Sequence, residues 1–198
     1  MENSVNAVGV EKKSNVAFKE WAVVCDALAS GRENIIIRKG GIAEGRNGFS
    51  FQYDEFFLFP TWFHEQVAKT ILPPGTQLPP QPEDVVEISL AAKLEWSHLI
   101  TDWDKLMALR DFHILSESAI EERYHYDDIK GVYVALVRVF RLLPAARIQN
   151  EKKYGGCRSW VNLPEIESAL VPVISEEEHL QRRAAIEEIL GIPHAGVV

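Results

Sequence analysis

Two arginines, Arg138 and Arg141, stand three apart inside an apolar run at 132–143. On a strand that spacing places them on opposite faces. A guanidinium in a covered sheet cannot shed its charge, so each needs a carboxylate or an anionic ligand. The functional chemistry is capture of phosphate or carboxylate. The structural alternative is an ion pair with one of the acids between 81 and 128. Arg38-Lys39-Gly40-Gly41 closes another apolar run with two cations and two glycines, and paired glycines let main-chain amides approach an anion closely. Its alternative is a strand end with a bulge. Neither the phosphate-loop spacing nor the dinucleotide glycine pattern is present. Pro60-Thr61-Trp62-Phe63-His64-Glu65 puts an imidazole beside a carboxylate. His64-Glu65 matches half of a zinc-protease motif, but Ala68 occupies the place of the second histidine. His64 is then a general base, a hydrogen-bonding reader of a ligand, or a histidine satisfied in the core. His98, His113, Arg123 and His125 lie in an acidic stretch without metal-ligand spacing, and no metal site is read. Trp160, after Arg158-Ser159 and near Tyr154, mixes cation and aromatic as a base-stacking surface does. Packing is the alternative use of such a tryptophan.

Charge is distributed unevenly. The net charge of −8 over 198 residues excludes a protein that coats nucleic acid through bulk charge. Residues 81–128 carry twelve acids against four bases, whereas 129–160 carry seven bases against Glu151 alone, a balance of +6. The two stretches either pair with each other or keep apart as an acidic side and an anion-binding face. Hydrophobic residues at 46% and charged residues at 25% exclude a disordered chain and a membrane protein. The apolar run at 56–63 is far below the roughly 20 residues that span a bilayer. Cys25 and Cys157, without a paired-cysteine spacing, indicate no disulfide framework. The start lacks the apolar segment of a signal peptide. A cytoplasmic protein is expected.

The elements that must position these residues follow from periodicity. Residues 1–15 read as a flexible tail and 16–198 as one domain. Phe18, Trp21, Ala22, Cys25 and Leu28 fall at helical spacing up to Gly31, predicting a helix of about 14 residues. Ile35-Ile36-Ile37 is a strand, and Asn47-Gly48 signals a hairpin returning through the aromatic run 49–59. Thr61 is expected to cap a short helix over 62–71. Prolines at 73, 74, 79, 80 and 82 make a stiff connector. The alternation from Val86 to Trp96 marks a strand with one wet face. Helices follow at 102–111, capped by Thr101 or Asp102, and from Ser118, whose Glu121 completes a capping box. The 132–143 run is a central strand covered on both faces. A short strand is expected in 157–163, and Ser175 caps a C-terminal helix over 176–190. The sum is an α+β domain with a mixed or antiparallel sheet flanked by helices.

Several of these segments, in order, resemble one bacterial family. They are Ala17-Phe18-Lys19-Glu20-Trp21, Arg38-Lys39-Gly40-Gly41-Ile42 with Glu44, Phe57-Leu58-Phe59-Pro60-Thr61 followed by His64, and Phe112-His113-Ile114 with Arg123. Leu136-Val137-Arg138-Val139-Phe140 and Ser159-Trp160-Val161 continue the series. The family is the domain of unknown function eighteen-oh-two, and the resemblance runs over about residues 16–163. It has no settled activity. Some of its members are joined to a restriction-endonuclease-like domain, which implies an association with nucleic acid and with restriction–modification. The C-terminal helix lies outside the resemblance.

These residues lead first to a cytoplasmic binding module for an anionic ligand, nucleic acid or a phosphate-bearing small molecule such as a nucleotide. Its ligand-binding set is Arg38, Lys39, Gly40, Gly41, Thr61, His64, Arg123, Arg138, Arg141 and Trp160. A second reading is an enzyme of hydrolase or nuclease type, with catalytic candidates His64, Glu65, Glu44 and His113. A third is an interaction domain working through its C-terminal helix. No cofactor is read from the sequence. The first reading requires the cationic and imidazole groups to converge around one hollow.

Overall fold

Long strand-forming runs, apolar on both faces at 132–139 and alternating from Val85, make the centre of this chain a sheet. The computed structural model describes residues 15–39, 50–78 and 83–193. Gly40, Gly41, Glu44 and the expected Asn47-Gly48 hairpin lie outside them, as does most of the tail. In order the elements are β1 (Val16–Trp21), α1 (Ala22–Ala29), β2 (Ile35–Arg38), β3 (Glu55–Thr61), β4 (Val85–Ile100), α2 (Trp103–Ala108), α3 (Glu117–Tyr124), β5 (Val132–Gln149), β6 (Trp160–Asn162), β7 (Ala169–Pro172) and α4 (Glu176–Leu190). The sheet is mixed, in the order β2-β5-β4-β3-β1-β6, with β7 on the same edge of β5 as β2. Among the described residues only β1 and β3 run parallel, and their crossover carries α1 and β2.

Strands β1 and β3 show why both faces are buried. Phe18, Phe56 and Leu58 enter one core, while Ala17, Phe57 and Phe59 enter a second on the opposite face. The expected N-terminal helix is therefore two elements. The parallel pairing of Ala17 with Phe57 and Trp21 with Thr61 takes the first six residues as a strand, and α1 starts only at Ala22. Helical spacing at 18, 21 and 22 was satisfied by chance, and tertiary pairing decided the local structure. Likewise β3 continues through Pro60 to Thr61, and only Val67–Lys69 of the expected 62–71 helix forms one 3₁₀ turn. The Thr61 hydroxyl caps nothing there; it donates to the Glu20 carbonyl at 2.9 Å.

The hairpin of β4 and β5 is the spine of the domain, with two register shifts along its length. β5 is buried at nearly every position from Val132 to Val139, as its apolar pattern demands, and extends six residues beyond the expected end. α2 is capped by Asp102, and α3 by Ser116 rather than Ser118. Strand β7 had no sequence expectation. α4 forms as expected, with Ser175 accepting from the Glu178 amide and Gly191 ending it in the left-handed region. It is a core element rather than a free arm, since Ile186 and Leu190 join the main core. No described helix is long and apolar enough to cross a membrane.

A cationic cleft at the ends of β1 and β2

The sequence places a cation at the end of β2 and another in the last turn of α3; the fold brings them together. Arg38, Lys39, Lys69 and Arg123 line one open cleft of about 310 Å³, with Trp21, Ser159 and Tyr126 among its walls. β1 delivers Trp21, whose neighbour strand β6 is tied on by the Lys19 amide donating to the Ser159 carbonyl. Lys69 comes from the loop before β4. That loop is held to the start of α3 by the Ile71 amide on Ile114 and the Ser116 amide on the Lys69 carbonyl.

The four cations differ in how their charge is met. Lys39 pairs with Asp127 at 2.8 Å and donates to the carbonyls of Ile129 and Gly131. Lys69 bonds to Glu122. Arg38 stands 3.8 Å from Glu20, donates to the Lys19 carbonyl at 3.4 Å and lies over the Phe18 ring, 5.0 Å from its centroid. Its buried Nε has no hydrogen-bond partner. Among the described residues Arg123 makes one hydrogen bond, to the Ile37 carbonyl at 2.5 Å, and its guanidinium lies 4.5 Å from the centroid of the Trp21 ring. No carboxylate of the described residues forms an ion pair with it. Burial is the main cause that pulls its pKa to about 10, with Arg38 also lowering it while Glu20 and Glu33 oppose. It remains a cation at neutral pH.

Under the cleft lies a layer of buried polar groups. Glu20 is 2% exposed and accepts from the Trp21 amide at 2.8 Å. Glu33 is equally buried and accepts from the Ile114 amide at 2.9 Å. Burial, above all, pushes the Glu33 carboxyl well above the ordinary 4.5. His113 accepts at Nδ1 from the Leu115 amide, so its proton sits on Nε2, which has no partner. Burial first, then the charge of Arg123, lowers its pKa to about 4. Buried Gln66 locks the layer from below, donating to the Thr61 carbonyl and accepting from the Val23 amide.

The other sequence candidates do not converge here. His64 is 91% exposed and, among the described residues, reaches only Glu65, at 3.6 Å. Arg138 pairs with Glu176 at 3.1 Å and donates to the Ser175 carbonyl, so it holds the start of α4. Its acid partner comes from α4, outside the acidic stretch at 81–128. Arg141 donates to the Ala29 carbonyl at the end of α1. Trp160 packs against Phe18, Phe51, Tyr53 and Phe56, with centroids 4.9–6.3 Å away, as an aromatic cluster rather than an open stacking platform. Of the expected set, Arg38, Lys39 and Arg123 share the cleft, and His113 sits near Arg123 beneath it. Trp21, Lys69, Glu20 and Tyr126 were missed. Trp21 carried a core-helix pattern, and nothing in the sequence marks Lys69 as a neighbour of Glu122. Among the described residues no three histidine, cysteine or acidic side chains stand together as a metal site.

A family model for the domain of unknown function DUF1802 matches residues 17–185. The chain belongs to this DUF1802 family. No curated protein matches it. Among solved structures, the crystal structure of ASCH from Zymomonas mobilis is similar at 12% identity, covering 88% of this chain and 96% of that one, with a TM-score of 0.45. A point mutant of the same protein aligns over 86% and 96% at 13% identity and a TM-score of 0.43. Likeness at that level carries no argument about ligand or activity. Every residue that lines the cleft, from Trp21 to Ser159, lies within the DUF1802 match.

Proposed function

We propose that this DUF1802 chain is a binding protein for a phosphate-bearing ligand, nucleic acid or a nucleotide, held in the cleft of Arg38, Lys39, Lys69 and Arg123. The observation that carries the reading is Arg123: a partly buried guanidinium over Trp21 that, among the described residues, is bonded to a main-chain carbonyl and not to a carboxylate. Most buried cations are met by an acid or a ligand. Arg38 adds an unbonded Nε beside it. Lys39 and Lys69 already hold acids and contribute field more than free donors. The exposed ring of Tyr126 at the rim offers a face for a base. A cytoplasmic location, where such ligands are abundant, belongs to the same reading. No specific observation favours the hydrolase reading through His64, Glu65 or Glu44.

The test is anisotropy of labelled short single strands and duplexes, and of a labelled nucleotide, at low and moderate salt. Binding is expected at low salt and weakens as salt rises, with a log–log slope of about −1 to −2 for one or two phosphate contacts. Arg38→Ala and Arg123→Met are each expected to weaken it by about ten-fold or more, since a charge-assisted hydrogen bond contributes roughly 1.5–3 kcal/mol. Absence of binding at low salt, or unchanged affinity in both folded variants, overturns the reading.

A further inference from the structure

A second cavity, of about 410 Å³, opens between α1 and the first half of β4. Its floor is apolar: Cys25, Leu58 and Leu90 are buried core residues, and Trp62 forms part of the wall. It shares no lining residue with the cationic cleft. Three charges stand around it, Asp26 from α1, Glu87 from β4 and Arg147 from β5. Glu87 and Arg147 are opposite each other in the β4–β5 register but form no ion pair among the described residues. Two acids therefore stand against one base around the cavity. Among the described residues no hydrogen bond or ion pair reaches the Asp26 carboxylate. Asp26 is exposed at the rim, and the partial burial of its carboxylate raises its pKa above the ordinary 3.8. A cavity with an apolar floor and two acids against one base at its exposed rim complements a guest that is mostly apolar and carries one positive charge.

We propose that this cavity is a binding site for an organic monocation, an amine on an aromatic or aliphatic body, with its ammonium on Asp26 and its body against Trp62, Leu58 and Leu90. The site is independent of the phosphate-binding reading. Its volume lies in the range of small-molecule sites, roughly 300–1,000 Å³. An anionic guest would meet two acids against one base, and a neutral guest would gain no attraction from Asp26.

The full chain is titrated calorimetrically with three near-isosteric probes: tryptamine, indole-3-ethanol and indole-3-propionate. Tryptamine is expected to saturate and to raise the melting temperature by mass action. The alcohol and the acid are expected to bind at least about ten-fold more weakly, a difference of about 1.4 kcal/mol. Asp26→Asn is expected to remove the preference for the amine. Ser89→Phe, at an exposed lining position, fills the cavity and is expected to abolish binding while the fold survives. Oligonucleotide binding by both variants serves as a separate readout and is expected to stay at the wild-type level. Failure of tryptamine to saturate overturns the proposal. So does equal binding of the acid, unchanged binding in Asp26→Asn, or unchanged binding in folded Ser89→Phe.

Discussion

The Arg123 guanidinium lies over the Trp21 ring at 4.5 Å while donating to the Ile37 carbonyl. One side chain of α3 thus joins the end of β1 to the outer edge of β2. A cation over an indole is favourable by about 0.5–2 kcal/mol, more when water is kept away. Trp21→Leu is expected to lower stability by about 1 kcal/mol and to weaken ligand binding several-fold, whereas Trp21→Phe keeps most of both. Denaturant melts and anisotropy on the two variants check this. Equal behaviour of Leu and Phe would show that the ring only fills space.

His113 predicts acid sensitivity. Its folded pKa of about 4 lies below the ordinary 6.5, so the native state holds it neutral. Protons then bind the unfolded chain more readily. The contribution is fully present above about pH 6.5 and is lost as pH falls toward 4. Over that window the loss amounts to about 3 kcal/mol. Urea melts between pH 7 and pH 4 should show a flatter profile for His113→Asn than for wild type. A wild-type slope retained in the variant removes His113 as the cause.

Glu33 predicts the opposite trend. Its folded pKa is raised by burial, so its contribution is present below about pH 4.5 and is lost as pH rises. Glu33→Gln keeps an acceptor for the Ile114 amide and has no proton to lose. The variant is expected to gain stability on wild type as pH rises above the ordinary 4.5. A difference that stays constant as pH rises contradicts it.

How far the sequence reached follows from which interactions decide each element. β4, β5 and α4 were legible because their patterns run over ten or more residues and carry caps. β1 was not. Its identity rests on a parallel pairing with β3, whose aligned residues are 40 positions away, and no local pattern encodes that. The same holds for the site. Arg38 and Lys39 stood out as a charged strand end. Arg138 and Arg141 stood out equally, yet one holds α4 and the other the end of α1. Cation type and spacing marked where charge had to be answered, and only the fold decided whether an acid, a carbonyl or an open cleft answers it. Lys69 and Trp21 reach the cleft through contacts of loop and strand that carry no sequence signal.

α4 tests the domain boundary. Ile186 is fully buried, and the helix is stitched to β4 by His179 on Glu95 at 2.8 Å and Arg183 on Glu95 at 3.2 Å. Ile186→Ala is expected to cost roughly 2–5 kcal/mol, and truncation after Pro172 to leave the chain unfolded. Circular dichroism and thermal melts decide. A truncated chain that stays folded would restore the reading of α4 as a detachable interaction arm.

The most direct test of the central claim is the NMR signal of the arginine Nε–H groups during titration with a nucleoside monophosphate. The account predicts that the Arg38 and Arg123 signals shift together and saturate together, while Arg138 and Arg141 stay still. Saturable binding that moves neither Arg38 nor Arg123 would place the ligand elsewhere and contradict it.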